Sequence, residues 1–258
     1  MDKQGLLLCA RYSVAPNFFG YCGPDENPNL IDHLKEQVAD EEVSSILSEF
    51  ETLYQYLVFI ATENKMQDPF DKRVVEAYWI GNSLLHKASN FDYVALLHEK
   101  LSLEHKTGMK KFQTIRRKVL SNHFYPHHSF HVFNIFKRTG RDQSNHTLDT
   151  MDACRIGWGR IVEDQRSKIK DQNYKSKIKN ILIETRPLVM KDKQLQLGKP
   201  ILKELNADYK GKSFLKDIKI GDWVSFHWGF VCDVLTAQQV ENLEFYTQRS
   251  IDFFNSPL

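Results

Sequence analysis

The chain reads as an α+β protein: a helical N-terminal domain over residues 1–150, then a small β-barrel domain with a C-terminal helix over 151–258. Three observations predict this. The spacing of apolar residues changes from three-and-four to two near position 150. The charge changes sign at the same place, residues 1–153 carrying a net −3 and residues 154–258 a net +5. Finally, a Gly221-Asp222 turn opens a strand-like run that leads straight into a capped helix at Thr236.

In the first part, Asn27 before Pro28 suits a helix cap followed by a first-turn proline. From Glu41, the residues Val43, Ile46, Leu47, Phe50, Leu53, Tyr54, Leu57 and Ile60 recur at three and four, which predicts one face of a long helix. Asp68-Pro69 interrupts it. Val74, Val75, Tyr78 and Trp79, then Leu85, predict a second helix, and 93–103 and 112–120 predict two more. The run Pro126-His127-His128-Ser129-Phe130-His131-Val132-Phe133 fits helix or strand, and the polar stretch 140–145 reads as a loop.

In the second part, 178–184 and 193–197 alternate at period two, punctuated by Pro187, Gly198 and Pro200. The lysine-rich stretch 166–179 reads as an exposed hairpin extension or helix rather than a nucleic-acid site. In the strand after Gly221-Asp222, successive side chains point to opposite faces. Val224, Phe226, Trp228, Phe230 and Cys232 then form an apolar face, with Ser225, His227 and Gly229 on the other. His227 is expected on the more accessible side. Thr236 and Gln239 form a capping-box pattern, and Val240, Leu243, Thr247, Ile251 and Phe254 give the stripe of the last helix.

Composition excludes several classes. A 41% hydrophobic share in 258 residues supports a buried core and argues against disorder. Mean hydropathy is −0.47, and no apolar run reaches the roughly 18 residues of a membrane span. The short patch Leu6–Leu8 has no cleavage pattern after it, so no signal peptide is expected. A net charge of +2 is too mild to announce nucleic acid. Four cysteines in a chain this long do not make a disulfide scaffold, which predicts thiols in a reducing, cytoplasmic setting.

Several residues could carry chemistry. Cys22 sits between glycines in Phe19-Gly20-Tyr21-Cys22-Gly23-Pro24, where a loop thiol can be a ligand or nucleophile. His127, His128 and His131 lie close together, and with Cys22 the pair His128 and His131 could form a metal or Cys–His site. Buried histidines packed among Phe130, Val132 and Phe133 are the bland alternative. Arg73, Glu76 and Asn82 read as surface groups on an amphipathic helix, and Cys9 and Cys232 as core.

The C-terminal segment resembles the HypC/HupF family of hydrogenase maturation chaperones. Gly221-Asp222-Trp223-Val224, His227, Gly229-Phe230 and the following helix match the family run in order and spacing, and Cys154, Gly159 and Ile161 match its cysteine-containing entry to the first strand. Trp158 stands where the family has a proline, and Cys154 is internal where the family cysteine is at the chain start. The resemblance implies an OB-like barrel over roughly 154–258. It also implies that Cys154 and His227 hold an iron unit bearing cyanide and carbon monoxide, passed on with a HypD-like scaffold to a hydrogenase precursor. The whole chain also resembles an uncharacterised prokaryotic family. Two other readings stay open: a Cys-dependent enzyme using Cys22 with His128, and a protein- or nucleic-acid-binding module without catalysis.

Overall fold

The structure, a computed structural model, describes residues 1–24, 28–135, 146–164, 180–209, 215 and 218–257. Asn27 and the stretches 140–145 and 166–179 lie outside the described residues. The described chain is mixed α+β, with eleven helices and a five-stranded sheet followed by the C-terminal helix.

The first helix, α1 (Lys3–Phe18), runs through what the sequence offered only as a short apolar patch. Leu6, Leu8, Cys9, Ala10, Tyr12, Val14 and Ala15 are all buried, so the helix is enclosed on nearly every side. A helix buried all round has no amphipathic period to read. Asp2 caps it by accepting from the backbone of Gln4 and Gly5. Helices α2 (Pro28–Glu36), α3 (Glu41–Ser48), α4 (Glu51–Glu63) and α5 (Lys72–Trp79) follow, with α1 packed against α2, α3 and α5. The long helix expected from Glu41 is therefore two. Phe50, with φ −75° and ψ 84°, leaves helical geometry and drops its ring into the core. The apolar period runs across the break because both helices face one core.

Then come α6 (Asn90–Ala95), α7 (Leu103–Thr107), α8 (Met109–Ser121), α9 (His128–Asn134) and α10 (Leu148–Cys154). The ambiguous histidine-rich run is thus helical from His128, with His127 as its cap.

The strands are β1 (Gly157–Asp164), β2 (Asn180–Thr185), β3 (Leu188–Lys191), β4 (Gln194–Leu197), β5 (Ile201–Asn206), β6 (Trp223–His227) and β7 (Phe230–Leu235), and α11 (Ala237–Asn255) ends the chain. β3 and β4 form a separate hairpin packed on α10 and α11. The other five pair in the order β1-β2-β5-β7-β6, and β6 pairs again with β1, so the sheet closes on itself. All pairs are antiparallel except β5–β7. The last helix begins at the expected capping box, Thr236 with Gln239.

The run 223–235 is not one strand but a hairpin. Trp228 and Gly229 both take positive φ, 51° and 79°, the geometry of a two-residue turn matched to strand twist. The face expected to be accessible is also covered. α1 lies on it, Ser225 bonds the Tyr12 hydroxyl at 2.8 Å, and His227 is 1% exposed. The expected faces hold only within β6: His227 pairs with Phe230 and Phe226 with Val231, so beyond the turn Phe230 falls on the His227 face rather than with Val224 and Phe226, and Cys232 sits at a register irregularity. The partner of the His227 face lies more than 200 residues away in the chain. One continuous core joins α1, α4 and α5 to β6, β7 and α11.

The seating of α1 depends on Gly5. A side-chain carbon there would run into the Phe70 carbonyl and the Lys72 amide. Replacing glycine inside a helix by alanine normally stabilises by about 1 kcal/mol. At this site overpacking by ~1–3 kcal/mol or more opposes it. Gly5→Ala is expected to lower the thermal midpoint, read by circular dichroism; an unchanged or higher midpoint would contradict the close approach.

Candidate metal centre

The site lies where α1, α5, α9 and the α10–β1 corner meet the β6–β7 turn. Three sets of links assemble it. The Trp228 amide donates to the Ala153 carbonyl at 2.9 Å, tying the turn to the end of α10. Gly157 and Gly159 of β1 pair with Phe226 and Val224 of β6, and the missing side chain at Gly157 leaves room for the Phe226 ring. The Asn17 side chain donates to the carbonyls of Cys22 and Pro24, and the Tyr21 and Cys22 amides both turn back to the Pro16 carbonyl. The loop after α1 thereby folds over the same spot.

One ligand-capable atom from each of His128, Cys154 and His227 comes within 4.8 Å of the other two. They border a cavity of about 40 Å³ that Cys22, His131 and His146 also line, with Tyr78, Trp79 and Trp228 among its aromatic walls. The cavity has room for a few water-sized groups. The sequence placed Cys154 with His227 and, separately, Cys22 with His128 and His131. The structure brings all five to one cavity and moves His128 into the first group. No aspartate or glutamate lines it among the described residues, and none of the four cysteines is in a disulfide. Cys9 and Cys232 are core, as expected. Glu76 accepts from Gln239 at 2.7 Å and Arg73 pairs with Asp71 on the surface, both away from this cavity.

His227 is held by its other nitrogen. Nδ1 lies 2.7 Å from the Tyr12 carbonyl. A carbonyl only accepts, so Nδ1 carries the hydrogen and Nε2 is the bare nitrogen. That carbonyl is available because its helical partner, four residues on, is Pro16, which has no N–H. Nε2 is buried and makes no hydrogen bond of ordinary geometry, although the Cys154 carbonyl acts on the ring. A buried nitrogen lone pair with nothing to accept is costly unless something binds it.

His128 is held at both ends, Nδ1 at 3.0 Å from the Tyr78 hydroxyl and Nε2 at 2.8 Å from the Cys154 carbonyl. Its Nε2 is also 3.9 Å from the Cys154 sulfur. His131 bonds the Tyr56 hydroxyl at 3.1 Å, and Tyr56 continues to Tyr93 at 2.5 Å. Burial keeps these rings neutral. It pushes His227 down to about 4, against the pull of the Tyr12 and Cys154 carbonyls, and His131 down to about 3. Burial likewise drives His128 well below the ordinary range, helped by His227 beside it. A neutral imidazole is the form that binds metal.

The donor set fits a metal. Two imidazoles and a thiolate suit iron, zinc or copper rather than magnesium or calcium. Three protein ligands leave a coordination position open, unlike a closed four-ligand structural zinc site. Sequence reasoning missed Tyr12, Pro16 and Tyr78, which orient the two imidazoles. A proline inside the apolar N-terminal run was the one available signal.

Neutral buried histidines make the metal-free fold acid-sensitive. Their native pKa values lie below the unfolded value of about 6.5, so below that pH the unfolded chain binds the extra protons. For His127, His131 and His227, all shifted down to about 3 or 4, stability is complete above pH 6.5. It falls as pH drops toward 4, by about 4 kcal/mol per unit for the three together. The urea midpoint is expected to fall steeply between pH 7 and 5.5; a flat profile would contradict neutral burial.

Among the described residues no helix is long and apolar enough to cross a membrane. No curated protein and no solved structure matches the chain. All of residues 1–258 match the model described as a family of unknown function (DUF6390), and the chain belongs to that family.

Proposed function

We propose that the protein is a metal-holding accessory factor of the hydrogenase-maturation kind. It carries one iron ion, with cyanide and carbon monoxide as the ion's other ligands, as cargo on Cys154 and His227 and passes it to a client. The observation that carries this reading is the convergence of Cys154, His227 and His128 within 4.8 Å around a bare, buried imidazole nitrogen. Cys154 and His227 are 73 residues apart in sequence, and the HypC/HupF resemblance pairs them independently of the geometry. The closed sheet supports an OB-like reading as well. Its five strands run 1-2-3-5-4 around the sheet, and a helix follows the last.

Incomplete protein coordination suits a carrier, because a client thiol can enter the open position before the cargo leaves. A HypD-like scaffold or a hydrogenase precursor is the partner this reading assigns. The enzyme reading through Cys22 and His128 draws less support. His128 donates its Nε2 hydrogen to the Cys154 carbonyl, and its Nδ1 lone pair already accepts from the Tyr78 hydroxyl, so neither nitrogen faces a thiol ready to take its proton.

Anaerobic titration with Fe²⁺ is expected to fill one site per chain, and Cys154→Ser and His227→Asn are each expected to weaken binding at least 100-fold. Variants that bind as the native chain does would overturn the assignment. Protein purified from a hydrogenase-producing host is expected to show infrared bands of metal-bound cyanide and carbon monoxide. Iron without those bands would remove the hydrogenase part of the reading and leave the metal site.

A further inference from the structure

We propose that His128 is a third, switchable ligand of this site, stored in the metal-free protein as the tautomer that cannot bind. The inference rests on the metal-holding reading above and deepens it.

The two histidines of the cluster are prepared in opposite ways. His227 shows a bare Nε2, because its hydrogen is on Nδ1 and committed to the Tyr12 carbonyl. His128 shows an N–H. Its Nε2 faces the Cys154 carbonyl at 2.8 Å, which only accepts, and the neutral ring therefore leaves Nδ1 bare to accept from Tyr78 at 3.0 Å. The same Nε2 is 3.9 Å from the Cys154 sulfur, so the nitrogen that would bind a shared ion already sits beside the first ligand.

Tyr78 makes the exchange possible. A phenol hydroxyl donates or accepts, so it keeps a bond to Nδ1 in either tautomer. When His128 binds through Nε2, the hydrogen leaving Nε2 is matched by one arriving at Nδ1, which then donates to the Tyr78 oxygen. The ring stays neutral throughout. The one proton released per ion is that of the Cys154 thiol. His128 exchanges its bond to the Cys154 carbonyl for a share in the ion that the Cys154 sulfur holds, so α9 stays tied to the end of α10 in both states. The carbonyl remains in place to take the N–H back. Withdrawal of the third ligand therefore needs no unfolding of the site, which suits a factor that must give up its cargo.

The test uses the full-length chain, ¹⁵N-labelled at histidine, with Zn²⁺ as a diamagnetic probe and long-range ¹H–¹⁵N correlation at neutral pH. The expected result is that one equivalent of Zn²⁺ leaves His227 as the Nδ1–H tautomer and converts His128 from Nε2–H to Nδ1–H. His128→Ala is expected to keep the one-to-one stoichiometry and lose at least tenfold in Zn²⁺ affinity. If the His227 ring reports Zn²⁺ while His128 keeps its Nε2 hydrogen, the inference is overturned and the Cys154–His227 site stands. If Zn²⁺ moves neither ring, both are overturned.

Discussion

The site depends on one hydrogen bond, from Nδ1 of His227 to the carbonyl of Tyr12. It exists because Pro16 removes the N–H that would otherwise take that carbonyl inside α1. The bond decides which ring nitrogen is bare and where it points. It also ties the first helix to the β6–β7 hairpin, so the N-terminal segment and the closed sheet are held by the same contact that orients the His227 ring. Tyr12 adds its hydroxyl to Ser225, and Arg11 pairs with Asp233 at 3.0 Å on the same face.

The surrounding packing then sets the chemistry. α1 covers the second face of the hairpin, and Trp79 stacks on Tyr12 while its ring lies 4.6 Å from His128 and 5.7 Å from His227, centre to centre. The rings are buried, so charge is unfavourable and the imidazoles stay neutral. A neutral nitrogen pair beside a thiol, with no carboxylate among the described lining residues, selects soft or borderline metals over hard ones. The same burial destabilises the fold when acid forces protons onto these rings. The donor preference of this cluster and the acid lability of the fold thus have a single physical origin.

Much of the second half was legible in the sequence. The Thr236–Gln239 capping box and the period-two strands are local patterns, and these survive translation into structure. What was not legible is tertiary. The turn inside 223–235 was hidden because Trp228, a residue that rarely takes positive φ, occupies its first position, and the alternation read across it assigned Phe230 to the wrong face. His227 looked accessible because nothing near it in sequence reveals that α1 lies over it. α1 itself was hidden by being apolar on nearly all sides, and the break at Phe50 by a period that both flanking helices share. His128 was seen as a candidate but grouped with Cys22 and His131. Only the 2.8 Å bond to the Cys154 carbonyl shows which cysteine it accompanies most closely.

The central claim is that a single sulfur and two buried imidazoles form one metal centre. X-ray absorption at the metal edge of Zn²⁺-loaded protein tests it most directly. One sulfur at about 2.3 Å and two imidazole nitrogens at about 2.0–2.1 Å, with a fourth, light-atom ligand, are expected. A shell of nitrogen and oxygen alone, or of two or more sulfurs, would contradict it.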